Sequence, residues 1–304
     1  MKGGRKDQFF FCLLEFYPNE QRWFLKSLLQ VKDEEGVDGD TAIRNWLDEY
    51  QLKSLIVDFP LSQAACANCE IECPGMHQCP VENVQTVYRE IDKLLDEDLK
   101  RKKENPKKYE QERNKDDEID FKKDIMDVET TDHILSRSFK RRLKKGFLPY
   151  WNRPVDLWIW CNYYEQLLDL FNISYDSFGN TSLMMISRFD FLKRHFPSGL
   201  KLYESNSYIN LIELLRAKII LKRDILNLSD IDFNIEARLN IICQVEKKLN
   251  IFIYDHDKDI LVKNPRAFNS FLLAICGRNL SLTQMRALPL WAEPEKTRFV
   301  FPSF

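Results

Sequence analysis

The sequence predicts a mixed α/β protein, and three observations carry that reading. Two long apolar, aromatic runs, QFFFCLLEFY (8–17) and RWFLKSLLQV (22–31), are separated only by a short polar break at Pro18-Asn19. A shorter apolar run, LKSLIVDFP, ends in Asp58 and Pro60. Later segments repeat apolar residues every three or four positions, the helical period. Strands, a helix and a buried strand ending in an acid suit a mixed sheet covered by helices.

Each element follows from local pattern. Residues 8–17 and 22–31 are of strand length and read as a β-hairpin. In DGDTAIRNWLDEY, Asp40 is the expected cap of a helix whose apolar positions are Ile43, Trp46 and Leu47. LKSLIVDFP is the third strand. Between Val84 and Leu99, the residues Val84, Val87, Tyr88, Ile91, Leu94 and Leu95 mark an amphipathic helix. From Asp92 to Asp124 most residues are charged, with mixed sign, and Asn105-Pro106 interrupts them. Residues 85–145 are therefore expected to form a charged helical insertion. Leu157, Trp160, Tyr164 and Leu168 keep helical spacing, and 182–196 is a further helix stopped by Pro197-Ser198-Gly199. LKLYESNSY (200–208) is a strand carrying Glu204, and helices follow at 211–221 and 236–249. NIFIYDHDKDILVKN is expected to be a second hairpin, with 255–259 as its turn. Asn264-Pro265 caps and opens a last helix, and RFVFPSF (298–304) is a closing strand.

Composition narrows the function classes. Among 304 residues, 45 basic and 47 acidic side chains leave a net charge of −2, which excludes a globally basic nucleic-acid coat. Nine glycines argue against Gly-rich nucleotide loops. No apolar run is long enough for a membrane helix. The apolar stretch from Phe9 to Leu14 imitates a signal peptide but is too short for one. A cytoplasmic protein without a membrane partner is the expectation.

The eight cysteines divide into two sets. Cys12, Cys161, Cys243 and Cys276 stand far apart in apolar contexts and read as buried small hydrophobes. Cys66, Cys69, Cys73 and Cys79 fall in one loop (62–82) with C-x2-C-x3-C-x5-C spacing, and four thiolates suit structural, tetrahedral Zn²⁺. His77 is a possible substitute ligand. An iron–sulfur cluster is the alternative, because Pro74 follows Cys73 as in ferredoxin-like runs. In the basic run KRRLKK, Lys140, Arg141, Arg142, Lys144 and Lys145 lie near Phe147, Tyr150, Trp151, Trp158, Trp160, Tyr163 and Tyr164. Cations beside aromatics can hold a phosphate backbone and stack bases; the alternative is a basic helix end followed by a core helix. Asp255-x-Asp257-x-Asp259 imitates an EF-hand, but Ile260 and Arg266 stand where Gly and Glu are required.

Asp58 and Glu204 each end an apolar strand, where ligands and metals collect in α/β sheets. The stretch LIVDFPLSQAACANCEIECPGMHQC, with LYESNSY, NPRAFNSFLLAI and WAEPEKTRFVFPSF, resembles a bacterial family of RNase-H-like predicted nucleases (domain-of-unknown-function group 429). The similarity covers most of the chain outside 85–145. It implies a single RNase-H-like domain over 1–304, interrupted by the cysteine loop and the charged insertion. It also implies divalent-metal-dependent phosphodiester hydrolysis, in which Mg²⁺ ions about 3.5–4 Å apart clamp the attacking and leaving oxygens. Asp58 and Glu204 match family acids. Asn269 stands where the family's last acid is usual, which makes the site degenerate. The family's central first strand precedes a glycine turn, whereas this chain opens at Gly3-Gly4, so that strand is expected to be missing or altered; Asp7 is a poor replacement ligand. The alternative reading is a catalytically inactive nucleic-acid- or protein-binding module, stabilised by the four-cysteine metal site. A protein partner through the charged insertion is the third.

Overall fold

The computed structural model describes residues 1–2, 9–110, 137–146, 152–173, 175, 180–292 and 298–304, with backbone alone at 137–138, 145–146 and 180–182. The chain is mixed α/β and divides into two compact units. The first comprises Met1–Leu61, Phe178–Ala287 and Arg298–Phe304; the second comprises Ser62–Ser177 and Leu288–Thr297. The cysteine loop and the charged insertion both belong to the second unit.

In the first unit, β1 (Phe10–Tyr17) and β2 (Arg22–Gln30) form the expected antiparallel hairpin, with a register shift between Leu13 and Leu14. β3 (Ser54–Val57) and β4 (Lys201–Glu204) pair in parallel. A two-residue β5 (Ile251–Phe252) joins β2, also in parallel. The strands thus make two small sheets, β1-β2-β5 and β3-β4. Residues 1–2 touch both. Lys2 exchanges backbone hydrogen bonds with Phe10, and the Met1 amine donates to the Ile56 carbonyl. The core between them gathers Phe9, Phe11, Val31, Trp46, Leu47, Val57 and Phe59. Each such side chain contributes roughly 1.5–3 kcal/mol on burial.

Helix α1 (Gly39–Glu49) is capped by Asp38, not Asp40: the Asp38 carboxylate accepts from the amides of Asp40 and Thr41. Its Ile43, Trp46 and Leu47 are buried as their spacing requires. In the second unit, α2 (Glu82–Glu104), α3 (Arg137–Gly146) and α4 (Pro154–Phe171) follow. Most of the charged insertion, 111–136, lies outside the described residues. In α4, Pro154 opens the helix after Arg153, and both Arg153 and Asp156 are buried. Back in the first unit come α5 (Asn180–Leu192), α6 (Ser207–Arg216), α7 (Lys222–Leu226) and α8 (Asn234–Leu249). The strand expected over 200–208 stops at Glu204 because Asn206 caps α6, accepting from the amides of Tyr208 and Ile209.

The second hairpin is a correction. After β5 the chain forms helix α9 (Asp255–Lys263), followed by α10 (Pro265–Ser281) capped by Asn264. Asp255 and Asp257 in the first turn and Lys263 in the last suit the helix dipole. Leu261 and Val262 are buried, so the run that imitates a strand is the inner face of a helix. The three aspartates of the EF-hand imitation therefore sit on a helix. The closing strand is reduced to single bridges, Phe299 with Glu204 and Pro302 with Met285. No helix among the described residues is long and apolar enough to cross a membrane.

Candidate functional site

The two acids singled out in the sequence stand side by side. In the parallel β3-β4 register, Val57 lies opposite Glu204, and Asp58 follows Val57. Both carboxylates are already engaged. Asp58 is ion-paired with the Lys2 ammonium, and its side chain is 8% exposed. Glu204 is 2% exposed. Its carboxylate accepts from the Leu61 amide at 3.1 Å. Its own backbone amide donates to Arg298 O, and its carbonyl accepts from the Val300 amide, each at 2.8 Å. Asn269 lies on α10, partly exposed, and α10 packs on β3. Asp7 lies outside the described residues. Among the described residues, no group of three or more His, Cys, Asp or Glu side chains is placed to hold a metal ion.

The cysteine loop is two short 3-10 turns, Ala65–Asn68 and Met76–Gln78. The Cys69 amide donates to Cys66 O at 3.3 Å, which closes the C-x2-C turn. The Gln85 side-chain amide on α2 donates to Cys79 O at 2.7 Å and to Met76 O at 3.3 Å, anchoring the second turn. Gly75, at φ +91°, makes the bend between them. Cys79 is buried, Cys66 is partly exposed, and Cys69 and Cys73 are exposed. Burial, and then the neighbouring thiols of Cys79, Cys69 and Cys73, push the Cys66 thiol above the usual range. His77 lies against the Tyr88 ring, at 5.1 Å between centroids.

The basic run resolves into two faces of α3. Phe139 and Leu143 are buried. Lys140 turns inward with them and forms an ion pair with Asp98, which is 2% exposed and also accepts from the Tyr109 hydroxyl at 3.1 Å. Lys140 is thus engaged with Asp98 on the inner side of α3. Arg141, Arg142 and Lys144 are exposed; Arg142 lies 5.3 Å from the Trp160 ring centroid. The Lys145 side chain is outside the description. Of the nearby aromatics, Trp158, Trp160, Tyr163 and Tyr164 are buried in α4, as the core-helix alternative has it. Phe147, Tyr150 and Trp151 lie outside the described residues.

Among the lone cysteines, Cys12, Cys161 and Cys276 are buried, and burial pushes each thiol up to about 12. Cys243 is the exception and is exposed. On α8 the buried residues Ile241, Ile242 and Val245 point inward, and Cys243, at about 100° per residue, falls close to the opposite side of the helix.

The sequence reading missed the open face of the β1-β2-β5 sheet. Leu25, Ile251 and Ile253 face the core. On the opposite face the rings of Tyr17, Phe24 and Phe252 run across the three strands, and Tyr254, just past β5, continues the row. Their centroids are 4.8, 5.3 and 5.0 Å apart in succession. Lys26 stands over the Tyr17 ring at 5.7 Å and the Arg22 guanidinium over Phe252 at 5.2 Å. The alternation of strands 1 and 2 holds half of this row. The other half depends on β5, whose pairing with β2 has no local signal.

Set against family models, curated proteins and solved structures, the chain matches none of them.

Proposed function

We propose that this chain is a catalytically inactive relative of divalent-metal phosphodiester hydrolases, with an RNase-H-like arrangement, that works as a nucleic-acid-binding module. The observation that carries this reading is the use already made of both acids. A two-metal site needs carboxylate oxygens free to take Mg²⁺ along with water and phosphate oxygens. Here the cation beside Asp58 is Lys2, and the Glu204 carboxylate accepts from the Leu61 amide. Asn269, in place of an acid, brings a carbonyl oxygen without charge. The exposed Arg141, Arg142 and Lys144 of α3 supply the phosphate contacts; structural Zn²⁺ in the four-cysteine loop would require its thiolates to close into a tetrahedral set that the described residues do not present.

The test is hydrolysis of RNA, DNA and hybrid substrates with Mg²⁺ or Mn²⁺, alongside binding of the same probes. The expected result is binding that weakens steeply with salt and produces no cleavage. Neutralising Arg141, Arg142 and Lys144 together should lower the log–log salt slope by about 2–3. Turnover that disappears in Asp58→Ala would overturn the inactive reading. Elemental analysis tests the loop: about one zinc per chain supports it, and iron with sulfide replaces it with a cluster.

A further inference from the structure

We propose that the open face of the β1-β2-β5 sheet is a stacking platform for a short single-stranded nucleic-acid segment. This inference rests on the nucleic-acid reading and places the bases on a different element from α3. The first argument is the pattern on the sheet. A sheet with one face on the core carries polar side chains on the other. The register of this sheet instead puts Glu15, Phe24 and Phe252 opposite one another, with Tyr17 two residues along β1 on the same face, and Tyr254, the cap of α9 just past β5, sets its ring edge-on against Phe252. The result is an aromatic row, with Tyr254 57% exposed at its end.

The second argument is the shape beside that row. An open cleft of about 520 Å³ lies along Phe252 and Tyr254, bounded by Arg22, Lys247, Asp255 and Lys258. This volume is in the range of small-ligand sites. Arg22 stands at the edge of the cleft with its Nη2 donating to Ile251 O at 3.1 Å; its Nε is buried and not open to a ligand, so Arg22 contributes charge to the cleft.

Charge selects the occupant. Lys26 is paired with Glu15 at 3.3 Å and Lys258 with Glu246 at 2.9 Å. Glu246 is further engaged, accepting from the Ile253 amide at 3.1 Å. Arg22 and Lys247 against Asp255 then leave the cleft cationic. Ring faces flanked by cations are the composition that holds unpaired bases and their backbone without reading sequence. Duplex bases are already stacked on each other and cannot use these faces.

The experiment is fluorescence anisotropy of the full chain with a labelled twelve-nucleotide oligo(dT), and with a duplex of the same length, at low salt. The single strand is expected to bind at least ten-fold more tightly than the duplex. Because Tyr254 is exposed, Tyr254→Ala leaves the fold intact and should weaken single-strand binding about ten-fold or more. Tyr254→Phe, which keeps the ring, should restore it. If oligo(dT) binding is lost on neutralising Arg141, Arg142 and Lys144 but is untouched by Tyr254→Ala, the platform is overturned and the nucleic-acid reading stands. If neither oligonucleotide binds the wild-type chain, both fall. If Tyr254→Ala instead turns a sedimenting dimer into a monomer and leaves oligonucleotide binding unchanged, the face joins two copies and the platform is overturned.

Discussion

Lys2 holds Asp58 in an ion pair at the end of β3, one residue beyond the point where Val57 faces Glu204. The carboxylate is nearly buried and the ammonium is 23% exposed. Removing Lys2 takes the paired ammonium from a nearly buried carboxylate, which keeps the attraction of the Met1 ammonium. Full burial would cost about 3–5 kcal/mol, and the exposure of Lys2 reduces that to about 1–3 kcal/mol. Lys2→Met should destabilise the first unit by that amount in urea titration. Asp58→Asn in the same background should recover much of it, and a double-mutant cycle with no coupling would contradict the pairing.

A second buried pair anchors α4. Arg153 donates to Asp156 through Nη2 at 2.9 Å and through Nε at 3.1 Å, while the Arg153 amide donates to the same carboxylate at 2.7 Å. The Tyr175 hydroxyl adds a bond at 3.3 Å. The Asp156→Ala change takes the carboxylate from a buried guanidinium, which keeps its bonds to Ser62, and is expected to cost about 3–5 kcal/mol. Limited proteolysis should then cut the second unit before the first. Equal protection of the second unit in variant and wild type would contradict this.

Lys140 gives the second unit an alkaline limit. Burial opposes its charge, but the Asp98 carboxylate and the Tyr109 hydroxyl outweigh that and raise its pKa above the ordinary lysine value of 10.5. The folded state therefore holds this proton more tightly than the unfolded state. The pair's contribution is complete below about pH 10.5 and is lost as pH rises through the folded value. Thermal melts from pH 9 to 12 should show a loss that Lys140→Met abolishes, at the cost of lower stability at neutral pH.

The thiols should separate by accessibility. Cys69, Cys73 and Cys243 are exposed and should react with a thiol reagent such as DTNB in the native protein at pH 8. Cys12, Cys161 and Cys276, buried and held near 12, should react only on unfolding. Zinc loading should protect Cys69 and Cys73 and leave Cys243 reactive. Equal protection of Cys243 would show that accessibility, not ligation, governs the rates.

What could be read along the chain was what depends on near neighbours. The apolar, aromatic runs at 8–17 and 22–31 gave the hairpin, Ile43, Trp46 and Leu47 gave α1, and Asn264-Pro265 gave the start of α10. Asp58 and Glu204 were recognisable as acids at strand ends for the same reason. Where two local signals competed, the sequence misled. The run from Ile251 to Val262 has two short apolar segments around a polar middle, like a hairpin, yet packing of Leu261 and Val262 on the core decided for a helix. The cation of Lys140 could not be distinguished from those of Arg141 and Lys144 until α3 showed which side faced Asp98. The aromatic face was out of reach for a further reason: Phe24 meets Phe252 only because β5 closes on β2 across more than two hundred residues. Local propensity and period fix elements one at a time, whereas pairing between distant strands and the inward or outward turn of a charge are set by burial in the assembled core.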